Sequence, residues 1–400
     1  MNIAYILNST SRNGGATKAF KQMLSGLMQK GINPIVIVPN KNGAYKDLTE
    51  MGVPVFSTPF RTHTYPNNRT LREKALFLPR LVARLIINHM ATRTVVNILH
   101  KYAIDIVHTN VGPVNIGFGA AQELGIPHIY HIREYGDLDF GLKYIPSNRH
   151  FHRQLDEIPL SYSICITKDI QAHHRQLGKP TSRIIYDGVH VKMDSIPKTK
   201  SHKDYFLFAG RIQSAKGVDT LLEAYGMYKS QTDNPFPLHL AGGIVDNFYM
   251  KKLSAIITKY GIESHVKFLG DCDNIKDLML GARAIIISSP FEGFGLCLAE
   301  AMFLGCLTIG RNTTGTKEQY DNGLQMTGEE IGLRYNTTEE LASLLMEVGT
   351  CPPEKYQPYI ERAFRVVNTL YTQENNVNEI ERFYQDIMAS ENNVLHTATN

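Results

Sequence analysis

The stretch ARAIIISSPFEGFGLCLAEAMFLGCLTIG, residues 282–310, decides how this sequence is read. It opens with an apolar, β-branched run that predicts a buried strand ending at Ser288. A loop carrying Glu292, Gly293 and Gly295 follows, and a helix is expected to begin near Leu296 and to stop at Gly305. In open α/β sheets, ligands bind at such carboxyl strand ends. Gly293 and Gly295 let the backbone approach a ligand closely, and the first turn of the new helix offers its unpaired N–H groups to an anion. Glu300 falls about one and a half turns into the helix, at roughly 100° per residue. Two carboxylates facing one cleft can each accept a pair of hydroxyls, which is how sugars and riboses are held. An isolated glutamate is usually a solvated surface acid. The strand, glycine loop and helix around Glu292 and Glu300 favour a site instead.

Upstream, FAGRIQSAKGVDTLLEA (208–224) repeats the arrangement: a strand ending at Ala209, a turn at Gly210, then Arg211 and Lys216 flanking the entrance to a helix. Two cations at a strand end can neutralise a diphosphate. Further outward, short β-branched runs alternate with longer amphipathic segments, the pattern of parallel sheets covered by helices. The first series is NIAYILN, NPIVIVP, VPVFST, IDIVHTN, PHIYHI, SICIT and RIIYDGVH; the second is DYFLFAG, FPLHLAG, HVKFLG, ARAIIISS and CLTIG. The α/β pattern thus starts twice. Pro197 and the polar run 198–203 between the two series read as a linker. A last amphipathic helix is expected over Tyr371–Ser390, followed by a frayed tail.

G-R-x(4)-K-G at 210–217, E-G-F-G-L-x-x-x-E at 292–300, IYDGV at 185–189 and FLGDCDNIKDL at 268–278 together resemble the retaining glycosyltransferases of family 4, strongest from about 204 to 320. The resemblance implies an α/β fold of GT-B architecture: two Rossmann-like parallel-sheet domains facing across a cleft. The expected division is an acceptor domain over 1–192, a nucleotide-sugar donor domain over 193–372, a helix over 373–390 crossing back to the first domain, and a tail over 391–400. It further implies that Arg211 and Lys216 bind a donor diphosphate, with Gly210 at the turn. Glu292 would hold the transferred sugar, Glu300 the ribose, and the amides of Gly293, Phe294, Gly295 and Leu296 the sugar or phosphate. In the first half, Gly14, Gly15 and Ala16 match the family's glycine-rich loop. His131 stands where the family has a histidine, but Ile132, Arg133 and Glu134 follow it, so the usual His-Asp pair is absent. The activity implied is metal-independent, retaining transfer from a nucleotide-diphosphate sugar, itself a substrate and no cofactor, to a glycan or lipid-linked glycan hydroxyl in cell-surface or capsule polysaccharide assembly. A nucleotide-sugar epimerase of the same fold and a non-catalytic nucleotide-sugar-binding protein are the alternatives.

Charge is divided unevenly. Residues 1–190 hold 22 Lys and Arg against 12 Asp and Glu, whereas 191–400 hold 20 against 26. The first half should attract anionic partners. No aromatic interleaving or known motif points to nucleic acid, and an anionic membrane surface or phosphorylated acceptor fits better. Residues 69–101 read as a helix rich in Arg and Lys, with Leu76, Leu81, Leu85, Ile86 and Val95 among them. It is either an interfacial helix or a domain helix with a solvated basic face. Asp137-Leu138-Asp139 and Asp271-Cys272-Asp273 spell D-x-D without the strand setting of a metal-diphosphate site. Gly117-Phe118-Gly119 lacks the third glycine of a dinucleotide fingerprint. Five scattered cysteines predict free thiols in a reducing compartment. MNIAYILN reads as a first strand rather than a leader, and no run is apolar enough to span a bilayer. The expectation is a cytoplasmic protein, with peripheral attachment to the inner face of the membrane as the second option.

Overall fold

The computed structural model describes residues 1–11, 15–66, 74–197 and 204–398, with side chains as far as 391. The chain forms two units, Met1–Gly188 with Gln373–Asn400, and Val189–Thr372.

Among the described residues the first unit holds nine strands: β1 Asn2–Ile6, β2 Asn33–Val38, β3 Val55–Ser57, β4 Thr64–Pro66, β5 Ile106–Thr109, β6 His128–Ile132, β7 Leu142–Tyr144, β8 Ser161–Cys165 and β9 Ser182–Ile184. Seven of them form a parallel sheet in the order β3-β2-β1-β5-β6-β8-β9. Alternation along β1 shows why its sequence is apolar throughout. Ile3 and Tyr5 enter a cluster with Phe20 and Leu24 on one face; Ala4 and Ile6 enter a second cluster with Val95 and Leu99 on the other. A strand covered on both faces needs no polar side.

The terminal helix runs Gln373–Ala398, beyond the expected end at Ser390. It contributes Val377, Ile380, Phe383, Tyr384 and Ile387 to the cluster around Tyr5. The helix expected over 69–101 spans Phe77–Lys101; residues 67–73 lie outside the described residues, as do Gly14 and the linker 198–203. Its C-terminal half is anchored by buried Asn88, Ala91, Val95 and Leu99 at nearly four-residue spacing. The antiparallel pair β4–β7, Thr64 opposite Tyr144, was not anticipated from the sequence. Three-residue strands that include Pro66 carry too little alternation to be seen.

The second unit holds β10 Phe206–Ala209, β11 Leu238–Ala241, β12 Val266–Gly270, β13 Ala284–Ile287, β14 Thr308–Arg311 and β15 Leu333–Tyr335. They form one sheet in the order β12-β11-β10-β13-β14-β15, and every pair in it is parallel. All five runs read as strands are present, and the short β15 is the addition. The chain winds outward from β10 through β11 to β12, then returns to place β13 on the other side of β10. The switch point therefore falls between β10 and β13, the place at which ligands bind in open α/β sheets.

Among the described residues no helix is long and apolar enough to cross a membrane. All five cysteines are free thiols.

Candidate functional site

Arg211 and Lys216 follow β10, and Glu292 follows β13, so the two motifs singled out in the sequence reach the same switch point. Lys216 Nζ lies 2.5 Å from Glu292 Oε1, with the two side chains 25% and 16% exposed. The same carboxylate oxygen accepts from Ser289 Oγ at 2.6 Å. Backbone bonds hold the loop: the Glu292 N–H donates to Thr314 Oγ1 at 2.9 Å, and the Gly315 N–H donates to the Glu292 carbonyl at 3.0 Å. Arg211 is exposed and enters no ion pair among the described residues.

Gly217 shows why the cation loop has its sequence. It sits at φ 62°, and a Cβ there would lie 2.2 Å from the Ser288 carbonyl oxygen. Only glycine lets the β10 loop touch the end of the β13 strand. Ser288 Oγ closes the contact by donating to the Lys216 carbonyl at 2.8 Å.

The loop 290–295 ends on Gly295, which occupies the N-cap of the helix Leu296–Phe303 at φ 92°. Gln319 donates from Nε2 to the Phe294 carbonyl at 2.6 Å, and the Phe294 ring packs edge-on against Tyr371 at 5.0 Å. The loop's carbonyls are thereby turned inward and tied down. Glu300 lies in the second turn of that helix, partly buried. Burial pushes the Cys297 thiol well above its ordinary value, the negative charges of Glu300 and Glu292 add to the shift, and Lys216 opposes it. One thiol thus feels both carboxylates and the lysine, which places the three in a common neighbourhood. Gly210 N–H donates to Ala241 O at 2.9 Å and continues the sheet up to Arg211.

In the first unit, Gly15 and Ala16 open the helix Gly15–Gln29, after β1. His131 lies on β6 and is fully buried. Its Nδ1 faces His108 Nε2 at 3.0 Å, and His108 Nδ1 meets Tyr384 Oη at 2.5 Å. Burial first, then Arg133 and His108, hold the His131 imidazole well below its ordinary value, so it is neutral near pH 7. Its Nε2 has no hydrogen-bond partner among the described residues. Arg133 is ion-paired with Asp187, both almost wholly buried at 5% and 4% exposure. Glu134 accepts from the Gly112 N–H at 2.8 Å, and burial, with Asp139 nearby, raises its carboxyl to about 8.

The sequence reading missed Ser289, Thr314, Gln319, Gly217 and the Arg133–Asp187 pair. Gly217 stood in the G-R-x(4)-K-G motif and was legible there. Thr314 and Gln319 come from a neighbouring strand-to-helix junction, and nothing in local spacing ties them to Glu292. Among the described residues no cluster of His, Cys, Asp or Glu could hold a metal ion.

A doubly wound parallel sheet whose switch point carries an exposed arginine, a lysine–glutamate pair and a helix start offers cations, carboxylate and backbone donors at one strand end. Residues 192–366 match the model of the family Glycosyl transferases group 1, and the two parallel-sheet units are those of a GT-B fold. It is 28% identical over 229 residues to N-acetyl-alpha-D-glucosaminyl L-malate synthase of Bacillus anthracis, covering 54% of this chain and 58% of that protein. It is 26% identical over 160 residues to O-antigen chain mannosyltransferase B of Escherichia coli, covering 36% of this chain and 41% of that one. The matches therefore span about half the length of these curated relatives. The crystal structure of Anabaena HepE in complex with UDP and glucose is similar in fold, with a TM-score of 0.75 at 19% identity over 96% of this chain and 100% of that one.

Proposed function

We propose that the protein transfers a sugar from a nucleotide-diphosphate sugar to a hydroxyl of a glycan or lipid-linked glycan, with retention at the anomeric carbon, in the building of a cell-surface polysaccharide. The observation that carries this reading is the junction of Lys216 with Glu292 at the switch point of the family-matched sheet. Supporting it are the relatives named for sugar transfer and the fold shared with a protein crystallised with UDP and glucose.

In this reading Arg211 and Lys216 take the diphosphate, and the amides of Gly293 to Leu296 assist them. Glu292 holds the transferred sugar and Glu300 the ribose. Gly210 gives backbone room at the end of β10. The bond from the anomeric carbon to the phosphate oxygen breaks with its electron pair going to the phosphate, where the two cations stabilise the charge. The acceptor hydroxyl oxygen bonds to the same face of that carbon, and its proton passes to the departing phosphate. The cations take the part a divalent metal plays elsewhere, so turnover should survive EDTA.

Thermal-shift screening against UDP, GDP, ADP, CMP and dTDP sugars selects the donor, because a ligand that binds only the native state raises Tm. Proton NMR of the product made from that donor then reads the anomeric configuration. An inverted product removes retention, and a free epimerised nucleotide sugar formed without acceptor removes transfer.

A further inference from the structure

A cavity of about 240 Å³ lies in the first unit between the start of the helix Phe77–Lys101 and the β4–β7 hairpin. Tyr65, Phe77, Leu81 and Ile145 give it apolar walls, and Arg80 and Arg84 line it as well. Arginine stems lie readily on apolar walls while their charged heads stay available to an anion. Here, no ion pair among the described residues involves Arg61, Arg80 or Arg84.

Arg84 donates from Nη1 to the Thr64 carbonyl, which fixes its stem against the hairpin. Arg80 is exposed. Among the described residues the charged groups lining the cavity are arginines. His63 is lowered to about 4 by burial, with His150 and Arg84 adding repulsion, and Arg84 itself is lowered by burial and by Arg61. Cations crowded together without counter-charge are costly in the free protein, and an anion relieves that cost.

The apolar walls gain from an occupant that carries an apolar part as well as a charge. At about 100° per residue, Leu78, Val82 and Leu85 fall on the helix face next to Leu81, and all three are exposed. An apolar track therefore leaves the cavity along the helix.

We infer that this cavity binds a phosphate carried on a hydrocarbon chain, with the phosphate between Arg80 and Arg84 and the chain on the Tyr65, Phe77 and Leu81 walls running out over Leu78, Val82 and Leu85. The assignment deepens the transferase reading, on which it rests for its purpose, by giving the acceptor a lipid-phosphate anchor.

The test is calorimetric titration of the full chain with decyl phosphate below its micelle concentration, beside inorganic phosphate and decanol as half-ligands. Binding of decyl phosphate at least about tenfold tighter than either half-ligand is expected. Arg80→Ala should weaken it by about tenfold or more, the value of one charge-assisted bond. Val82→Ser, an exposed change that leaves the fold intact, should weaken it by several-fold. Unchanged affinity in Arg80→Ala, or equal affinity for inorganic phosphate, overturns the site. Retained decyl phosphate affinity in Arg80→Ala with lost binding to phosphatidylglycerol vesicles also overturns it, in favour of a bilayer surface. UDP binding measured on the same samples belongs to the second unit: its failure tells against the donor reading and leaves the cavity untouched.

Discussion

The two sheets both carry polar groups toward the carboxyl ends of their strands, but they treat them oppositely. In the first, His108, His131, Arg133, Asp187 and Tyr384 are buried and mostly bonded to one another. In the second, Arg211 is exposed and Lys216 and Glu292 remain partly open. The difference separates polar groups closed in on one another from polar groups left open to a change of partner. A buried ion pair answers only to its partner, whereas an open one can exchange its partner for substrate.

The largest effect should come from breaking the buried pair. Asp187→Ala leaves the Arg133 guanidinium buried without a counter-charge and should cost about 3–5 kcal/mol by denaturant unfolding. Arg133→Met combined with Asp187→Leu should recover most of that loss; a loss below about 1 kcal/mol in the single variant would show that the pair is hydrated and erase the contrast. Next, Arg211→Ala should lower turnover by about two orders of magnitude or more, while changing stability by no more than about 0.5 kcal/mol. Near-normal turnover would remove Arg211 from the diphosphate site. Glu292→Gln should likewise cost turnover, by about tenfold or more through one charge-assisted bond, yet leave binding of UDP, which carries no sugar to transfer, close to the wild type. Weakened UDP binding would instead make Glu292 a nucleotide ligand or a support of Lys216.

The smallest effect sharpens the comparison through pH. Glu134 is raised from 4.5 to about 8 in the folded protein. Between those values the unfolded chain ionises while the folded one keeps its proton, so this group's contribution is fully present below about 4.5 and is lost as pH rises toward 8. Glu134→Gln, which mimics the protonated form, should gain stability relative to the wild type across that window. Parallel pH profiles for the two proteins would place the carboxylate in contact with water.

The sheets were legible because a strand covered on both faces must be apolar throughout, as Ala284–Ile287 is. Glycine loops announced where the strands stop. Lys216 and Glu292, 76 residues apart in the chain, could be paired only by assuming that β13 returns beside β10, which the family resemblance supplied and local spacing could not. The burial of His131 was invisible for a similar reason. Its partner His108 is bonded in turn to Tyr384, which a helix from the far end of the sequence brings to the first sheet. The β4–β7 pair escaped because three residues carry no period.

That returning helix has a consequence for biogenesis. Val377, Ile380, Phe383 and Tyr384 complete the hydrophobic cluster seeded by Ile3 and Tyr5, so the ribosome must finish the whole second unit before the first can close its core. The family-matched sheet can mature on schedule as it emerges. The earlier-born sheet waits with an uncovered apolar face, and that interval is when the protein is most dependent on chaperone shelter.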